Sequence, residues 1–148
     1  MTSPVTGPFG RGLRLDDGDL VLERGELVEV TGIANLVQAL TLRVLTPFGS
    51  DRFSPGYGLD VTQAFTAPTS ARMVKELLKL NLVGALGSDP RVSEVRQVSF
   101  DDDPDRLAAD PDAAGRARTA QITRTWNVTA DLHTVADIPV TLQVNVEV

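Results

Sequence analysis

The last nine residues, from Val140 to Val148, constrain the fold more than any other stretch. Val140, Leu142, Val144, Val146 and Val148 alternate without a fault with Thr141, Gln143, Asn145 and Glu147. A period of two sends successive side chains to opposite faces, so this is a strand with one buried face and one wet face. A second alternation precedes it. Ile122, Trp126, Val128, Ala130 and Leu132 share one face, and Gln121, Thr123, Thr125, Asn127 and Thr129 the other, with Arg124 in the same run. Residues His133–Pro139 suffice for a loop, so the two runs predict an antiparallel hairpin with Trp126 in the core. The final strand runs to the last residue with no polar tail to blunt it. An unpaired strand edge offers a row of N–H and C=O groups to another chain. The alternative is an inner strand paired on both sides.

Upstream, the pattern is helical. Ile33, Leu36, Val37, Leu40 and Val44 recur at three- and four-residue steps, predicting a helix over Ile33–Leu45 capped by Thr31 or Asn35. Pro47 stops it, and the loop Phe48–Gly58 follows, with three glycines, Pro55, Phe48, Phe53 and Tyr57. That loop is too apolar for a slack linker. Phe48, Phe53 and Tyr57 are expected to pin it to the helices, with Gly49, Gly56 and Gly58 supplying turns. Arg52 is available to a partner. A second helix is expected over Ser70–Leu86, with Met73, Val74, Leu77, Leu78 and Leu82 on its apolar face and Gly87 and Pro90 ending it. A loosely alternating strand then runs from Val92 to Phe100. Before the first helix, Asp19–Glu23 and Glu26–Val30 flank Arg24-Gly25 as one hairpin, although Val21 breaks its alternation. Met1–Gly10 reads as an arm, flexible or docked. No internal repeat is visible.

At 148 residues the chain is expected to form a single domain. The element order β-β-α-α-β-β-β predicts an α+β fold, with helices covering one face of a mainly antiparallel sheet. Cysteine is absent, which excludes a disulfide framework and thiolate chemistry. No signal peptide and no run long enough to span a membrane are visible, so cytoplasmic synthesis is the expectation. The net charge of −6 is concentrated. Residues 101–112 hold six Asp and one Arg, leaving −1 for the rest. Arginines are scattered, whereas nucleic-acid binding needs a concentrated basic face, so no nucleic-acid partner is expected.

Four elements in one order resemble the baseplate-wedge and sheath-initiator family, lysozyme-like baseplate wedge proteins of contractile phage tails and contractile injection systems. They are Gln38 near the start of the first helix, Leu45-Thr46-Pro47-Phe48-Gly49, Ser54-Pro55-Gly56-Tyr57-Gly58, and Asp89-Pro90-Arg91-Val92. The resemblance covers Asp16 to Phe100 and extends to the C-terminal strands. The last motif departs from the family's Glu-Pro-Arg by one methylene at Asp89. The resemblance implies a non-enzymatic assembly module, present in six copies around the tail tube. Its partners would be sheath protein, baseplate wedge proteins and inner-tube or hub proteins. The hairpin of Ile122, Arg124, Trp126, Val128, Val140, Leu142, Val144, Val146 and Val148 would accept a sheath strand. Asp89, Pro90 and Arg91 would dock on the wedge. Their simpler role is a helix-stopping turn with a local Asp–Arg pair.

Remaining candidates are weaker. The DDDPD run lacks the calcium-loop spacing, since Pro104 breaks it and no glycine stands sixth, so Asp101–Gly115 is expected as a solvated, mobile loop. His133, the only histidine, reads as a loop residue. No metal or cofactor is expected. A glycosidase needs two carboxylates across a sugar bond, one of them in an apolar setting. Only Glu76 lies among apolar neighbours, and Lys75 and Lys79 flank it. A wedge or hub adaptor without sheath contact, or a lysozyme-like glycosidase, are the other classes to weigh.

Overall fold

A computed structural model describes residues 7–62, 66, 70–110, 112, 115, 118 and 125–147. Six short strands come first: β1 (Arg11–Leu13), β2 (Leu15–Asp16), β3 (Asp19–Leu20), β4 (Leu22–Glu23), β5 (Glu26–Leu27) and β6 (Glu29–Thr31). They pair antiparallel as β1–β6, β2–β3 and β4–β5, which makes three short arms. Arg14, Val21 and Val28 lie where the arms meet. The Arg14 N–H donates to the Val28 carbonyl at 2.8 Å, Val21 to Arg14 at 3.1 Å, and Val28 to Val21 at 3.0 Å, closing a ring of backbone bonds.

This corrects the expected single hairpin and reveals a repeat. Arg14-Leu-Asp-Asp-Gly-Asp-Leu20 is followed by Val21-Leu-Glu-Arg-Gly-Glu-Leu27, a period of seven. Two adjacent positive φ angles explain it, at Asp17 (48°) and Gly18 (88°), and again at Arg24 (53°) and Gly25 (83°). Such a pair closes a two-residue turn whose twist suits a hairpin. Each turn therefore folds its own arm back before a long ribbon can form. Val21 breaks the alternation because it belongs to the junction and to neither arm.

Helix α1 (Gly32–Leu45) buries Leu36, Leu40 and Val44, and ends before Pro47 as expected. Thr31 is its N-cap residue, while the Asn35 amide donates instead to the Phe9 carbonyl at 2.8 Å. Helix α2 (Ala71–Gly87) starts at Ser70, whose Oγ accepts the Met73 N–H. It buries Leu78, Leu82 and Leu86, whereas Met73 is half exposed. β7 (Val92–Phe100), helix α3 (Pro104–Ala109), β8 (Thr125–Thr134) and β9 (Pro139–Glu147) complete the order.

β7, β8 and β9 form one antiparallel sheet in that spatial order, so the fold is α+β as expected. α1 lies over β9 and α2 over β7, on the same face. Beneath them Trp126, Val128, Ala130 and Leu132 of β8 and Val140, Leu142, Val144 and Val146 of β9 are buried. Phe9 joins this core, which docks the N-terminal segment from that residue on. Thr141, Gln143, Asn145 and Glu147 are exposed on the opposite face.

The acidic segment departs from its expected mobility over its first half. α3 occupies Pro104–Ala109, Asp102 pairs with Lys75, and Asp103 pairs with Lys79 at 3.8 Å. The Asp103 carboxylate also accepts the Phe100 N–H at 2.9 Å. Opposite charges on α2 thus hold the segment down, and that helix lies far from it in sequence. His133 lies in β8 rather than in a loop, because the turn is confined to residues 135–138.

Candidate functional site

The free edge of β9 can be read from the ladder itself. In an antiparallel strand a residue's N–H and C=O point to one side, and the sides alternate. The Asn127 carbonyl accepts the Asp101 N–H, just past β7, at 3.2 Å, and the Thr134 N–H donates to the Ile138 carbonyl, just before β9, at 3.0 Å. Odd-numbered residues of β8 therefore face β7 and even-numbered ones face β9. The bonded pairs of the outer ladder are then Trp126–Val146, Val128–Val144, Ala130–Leu142 and Leu132–Val140. Thr141, Gln143, Asn145 and Glu147 turn their backbone groups outward. No strand lies there among the described residues. Pro139, which has no N–H to offer, occupies the same outward parity.

This edge has no register shift against β8 and carries one charged side chain, Glu147. Natural edges are usually blunted by bulges, charges or short length. β9 is nine residues long and shows little of this. Trp126, Val128, Val140, Leu142, Val144 and Val146, all expected at a sheath-binding hairpin, are core side chains of its inner face. What the hairpin leaves exposed is the backbone of the odd residues. Ile122, Arg124 and Val148 lie outside the described residues.

Asp89-Pro90-Arg91 is largely turned inward. Asp89 is 3 % exposed. Arg91 Nε and Nη2 donate to its two carboxylate oxygens at 2.9 and 2.7 Å, and the Arg91 backbone N–H donates to Oδ1 at 3.0 Å. Arg91 Nη1 reaches the Phe9 carbonyl at 3.1 Å. The fork-on-carboxylate bond to Arg91 holds the Asp89 carboxyl below its usual range against the opposing effect of burial, and the same bond raises Arg91. The motif therefore clamps the end of α2, the start of β7 and the N-terminal segment together. Of the three, Pro90 alone is exposed.

The loop after α1 is closed at its base. The Phe48 N–H donates to the Leu59 carbonyl at 3.1 Å, and the Leu59 N–H to the Thr46 carbonyl at 2.9 Å. Gly58 has φ 108°, and a Cβ there would lie 2.5 Å from the Thr46 oxygen, so only glycine permits this closure. The Arg43 guanidinium sits 4.6 Å from the Tyr57 ring centre and also donates to Ser88 Oγ at 2.8 Å. Tyr57 thus anchors the loop as expected. Phe53 does not, being 98 % exposed. Asp51 Oδ1 accepts the N–H groups of Phe53 and Ser54 at 2.8 and 3.2 Å, a turn that puts Phe53 at the tip. Phe48, Gly49 and Pro55 are also exposed, and buried Leu59 replaces the two phenylalanines as the second anchor.

Sequence reasoning missed what Gln38 does. Its Oε1 accepts the Leu15 N–H at 2.9 Å, and its Nε2 donates to the Leu13 carbonyl at 2.8 Å, which fixes the three-arm junction to α1. Among the described residues no group of three or more His, Asp or Glu side chains is placed to hold a metal ion, and no helix is long and apolar enough to cross a membrane. Neither a family model nor a curated protein matches the chain.

Proposed function

We propose that this chain is a structural baseplate component of a contractile tail or contractile injection particle, a sheath initiator that starts the first sheath ring by strand addition. The observation that carries this reading is the regular edge of β9, unpaired among the described residues, with the backbone groups of Thr141, Gln143, Asn145 and Glu147 turned outward. An extended segment of a sheath subunit would pair there, its backbone bonds giving attachment and its alternate side chains giving register. The ordered motifs around Gln38, Leu45–Gly49, Ser54–Gly58 and Asp89–Val92 support the same reading. It assigns no catalysis to the chain. Docking on the wedge would use exposed Pro90 and the loop tip rather than the occupied fork of Arg91.

One observation favours a second reading, a wedge or hub adaptor without sheath contact. Phe53 stands exposed on a loop whose base is closed by glycine geometry, a contact surface unrelated to the sheet edge.

Gln143→Pro separates the two. It removes an outward N–H and leaves the bonds to β8 in place, so the protein should fold. Baseplates carrying it should assemble but nucleate sheath at least about tenfold less often, the equivalent of about 1.4 kcal/mol. Normal sheath nucleation on those baseplates would sink the initiator reading and leave the adaptor.

A further inference from the structure

A cavity of about 370 Å³ opens at the far end of the β9 edge. Its walls come from the end of α1 (Val44, Leu45), the loop base (Pro47, Leu59), Val61 and Val146. Most of this lining is apolar. Asn145 and Glu147, whose backbone groups turn away from β8, line it as well, and no β8 residue does. The cavity lies on the helix-covered face, toward which Val146 points.

Strand geometry says what reaches it. Residues directly opposite each other in a sheet put their side chains on the same face. A strand added along β9 would therefore point the residue opposite Val146 toward α1, into this space. Residues opposite Asn145 and Glu147 would point to the wet face. An apolar hole of ~150 Å³ is enough for a benzene ring, so this cavity admits a large side chain without rearrangement. Glu147, the only charged residue of β9, stands at its rim and favours a neutral or basic neighbour over an acidic one.

We infer that the cavity is the anchor site of the strand that β9 recruits. The recruited segment belongs to the sheath subunit and carries a large apolar residue opposite Val146 and no acidic residue opposite Glu147. The anchor sets the register. Backbone bonding alone repeats every two residues, so a strand could slide by such steps with little penalty, whereas one filled cavity selects a single alignment. This inference rests on the strand-addition reading.

The test measures binding of the purified sheath subunit of the same particle to the full chain. Four forms are compared: the unaltered chain, Gln143→Pro, Leu45→Trp and Leu45→Met. Leu45 is 56 % exposed, so both of its variants should fold. A tryptophan there fills the cavity, and methionine keeps its size and character. The expected result is a loss of about tenfold or more for Gln143→Pro and for Leu45→Trp, with Leu45→Met within about twofold of the unaltered chain. If Gln143→Pro weakens binding and Leu45→Trp does not, the anchor is overturned while strand addition stands. If neither weakens it, both fall together. Loss on Leu45→Trp alone would also overturn the inference, because the cavity would then act apart from the edge. Self-association of the chain that both variants abolish would overturn it too, since the occupant would be a second copy.

Discussion

Among the described residues the sheet has two outer strands, β7 and β9, and they are finished differently. β7 has register shifts between Val92 and Glu94 and between Val95 and Gln97, and it carries an exposed Glu94–Arg96 ion pair at 3.3 Å. One of its ends follows directly on the Asp89–Arg91 clamp, and the other leads into the acidic segment held by Lys75 and Lys79. β9 has an unbroken register, polar uncharged residues at three of its four outward positions, and a cavity at its end. Bulges and charges are the usual means of keeping a strand from pairing with strangers. Here the bulges fall on one edge only, and β9 carries a single charge, Glu147. The difference teaches that openness at β9 is not a general carelessness of the fold, because the same sheet protects its other side.

The harshest way to break the comparison is to remove β9. Ending the chain at Pro139 deletes Val140, Leu142, Val144 and Val146 from the core. At about 1.5–3 kcal/mol for each buried side chain, the loss rivals a total stability of roughly 5–15 kcal/mol. Circular dichroism on heating should show no cooperative transition. A cooperative melt near that of the intact chain would mean that β9 is an appendage.

Proline placement sharpens the comparison within β9. Val144→Pro cuts a bond to β8 and should cost about 3 kcal/mol or more, while Gln143→Pro, one residue away, should cost under about 1 kcal/mol. Equal urea midpoints for the two would refute the assigned parity of the edge.

At the protected edge, Asp89→Ala should cost about 1–3 kcal/mol, since Arg91 loses the carboxylate that its Nε, Nη2 and backbone N–H all bond. The pH dependence carries a sign. The Asp89 carboxyl titrates below its ordinary range in the folded state. It therefore stabilises the fold above the unfolded value of about 3.9, and this contribution is lost as pH falls through the lower folded value. Urea titrations at pH 7 and at pH 3 should show a smaller decline for Asp89→Asn than for the unaltered chain. Parallel declines would mean that the pair adds nothing.

Phe53→Ala belongs to neither edge and should have the smallest effect, within about 0.5 kcal/mol on stability, because its side chain touches solvent. A large drop in melting temperature would show that the loop tip packs after all.

What was legible in the sequence follows the range of the forces involved. The strand alternation at residues 140–147 and the helix limits near Pro47 and Pro90 are local, and the α+β class follows from the order of such local elements along the chain. Parity at the edge was hidden, because it depends on which strand lies beside β8. The Asp89–Arg91 spacing was visible, but its third member, the Phe9 carbonyl, lies 82 residues away from Arg91. Phe53 misled because aromatic character alone does not say which way a turn will aim it. The seven-residue repeat was in plain view at Arg14–Leu27. It escaped because strands of two residues are too short for alternation to register.

The closed ring at Arg14, Val21 and Val28 makes this part of the molecule extensible. Each arm leaves the ring and returns to it through its own turn, so an arm's length is independent of the ring's bonds. Adding two residues to each side of an arm would push its tip outward and keep its bonding alternation and side-chain faces, leaving the junction intact. Adding a residue to one side only would reverse every side chain beyond it. Arms of this kind lengthen by paired insertions, and Leu13, Leu20 and Leu27 keep their places around the ring as they do.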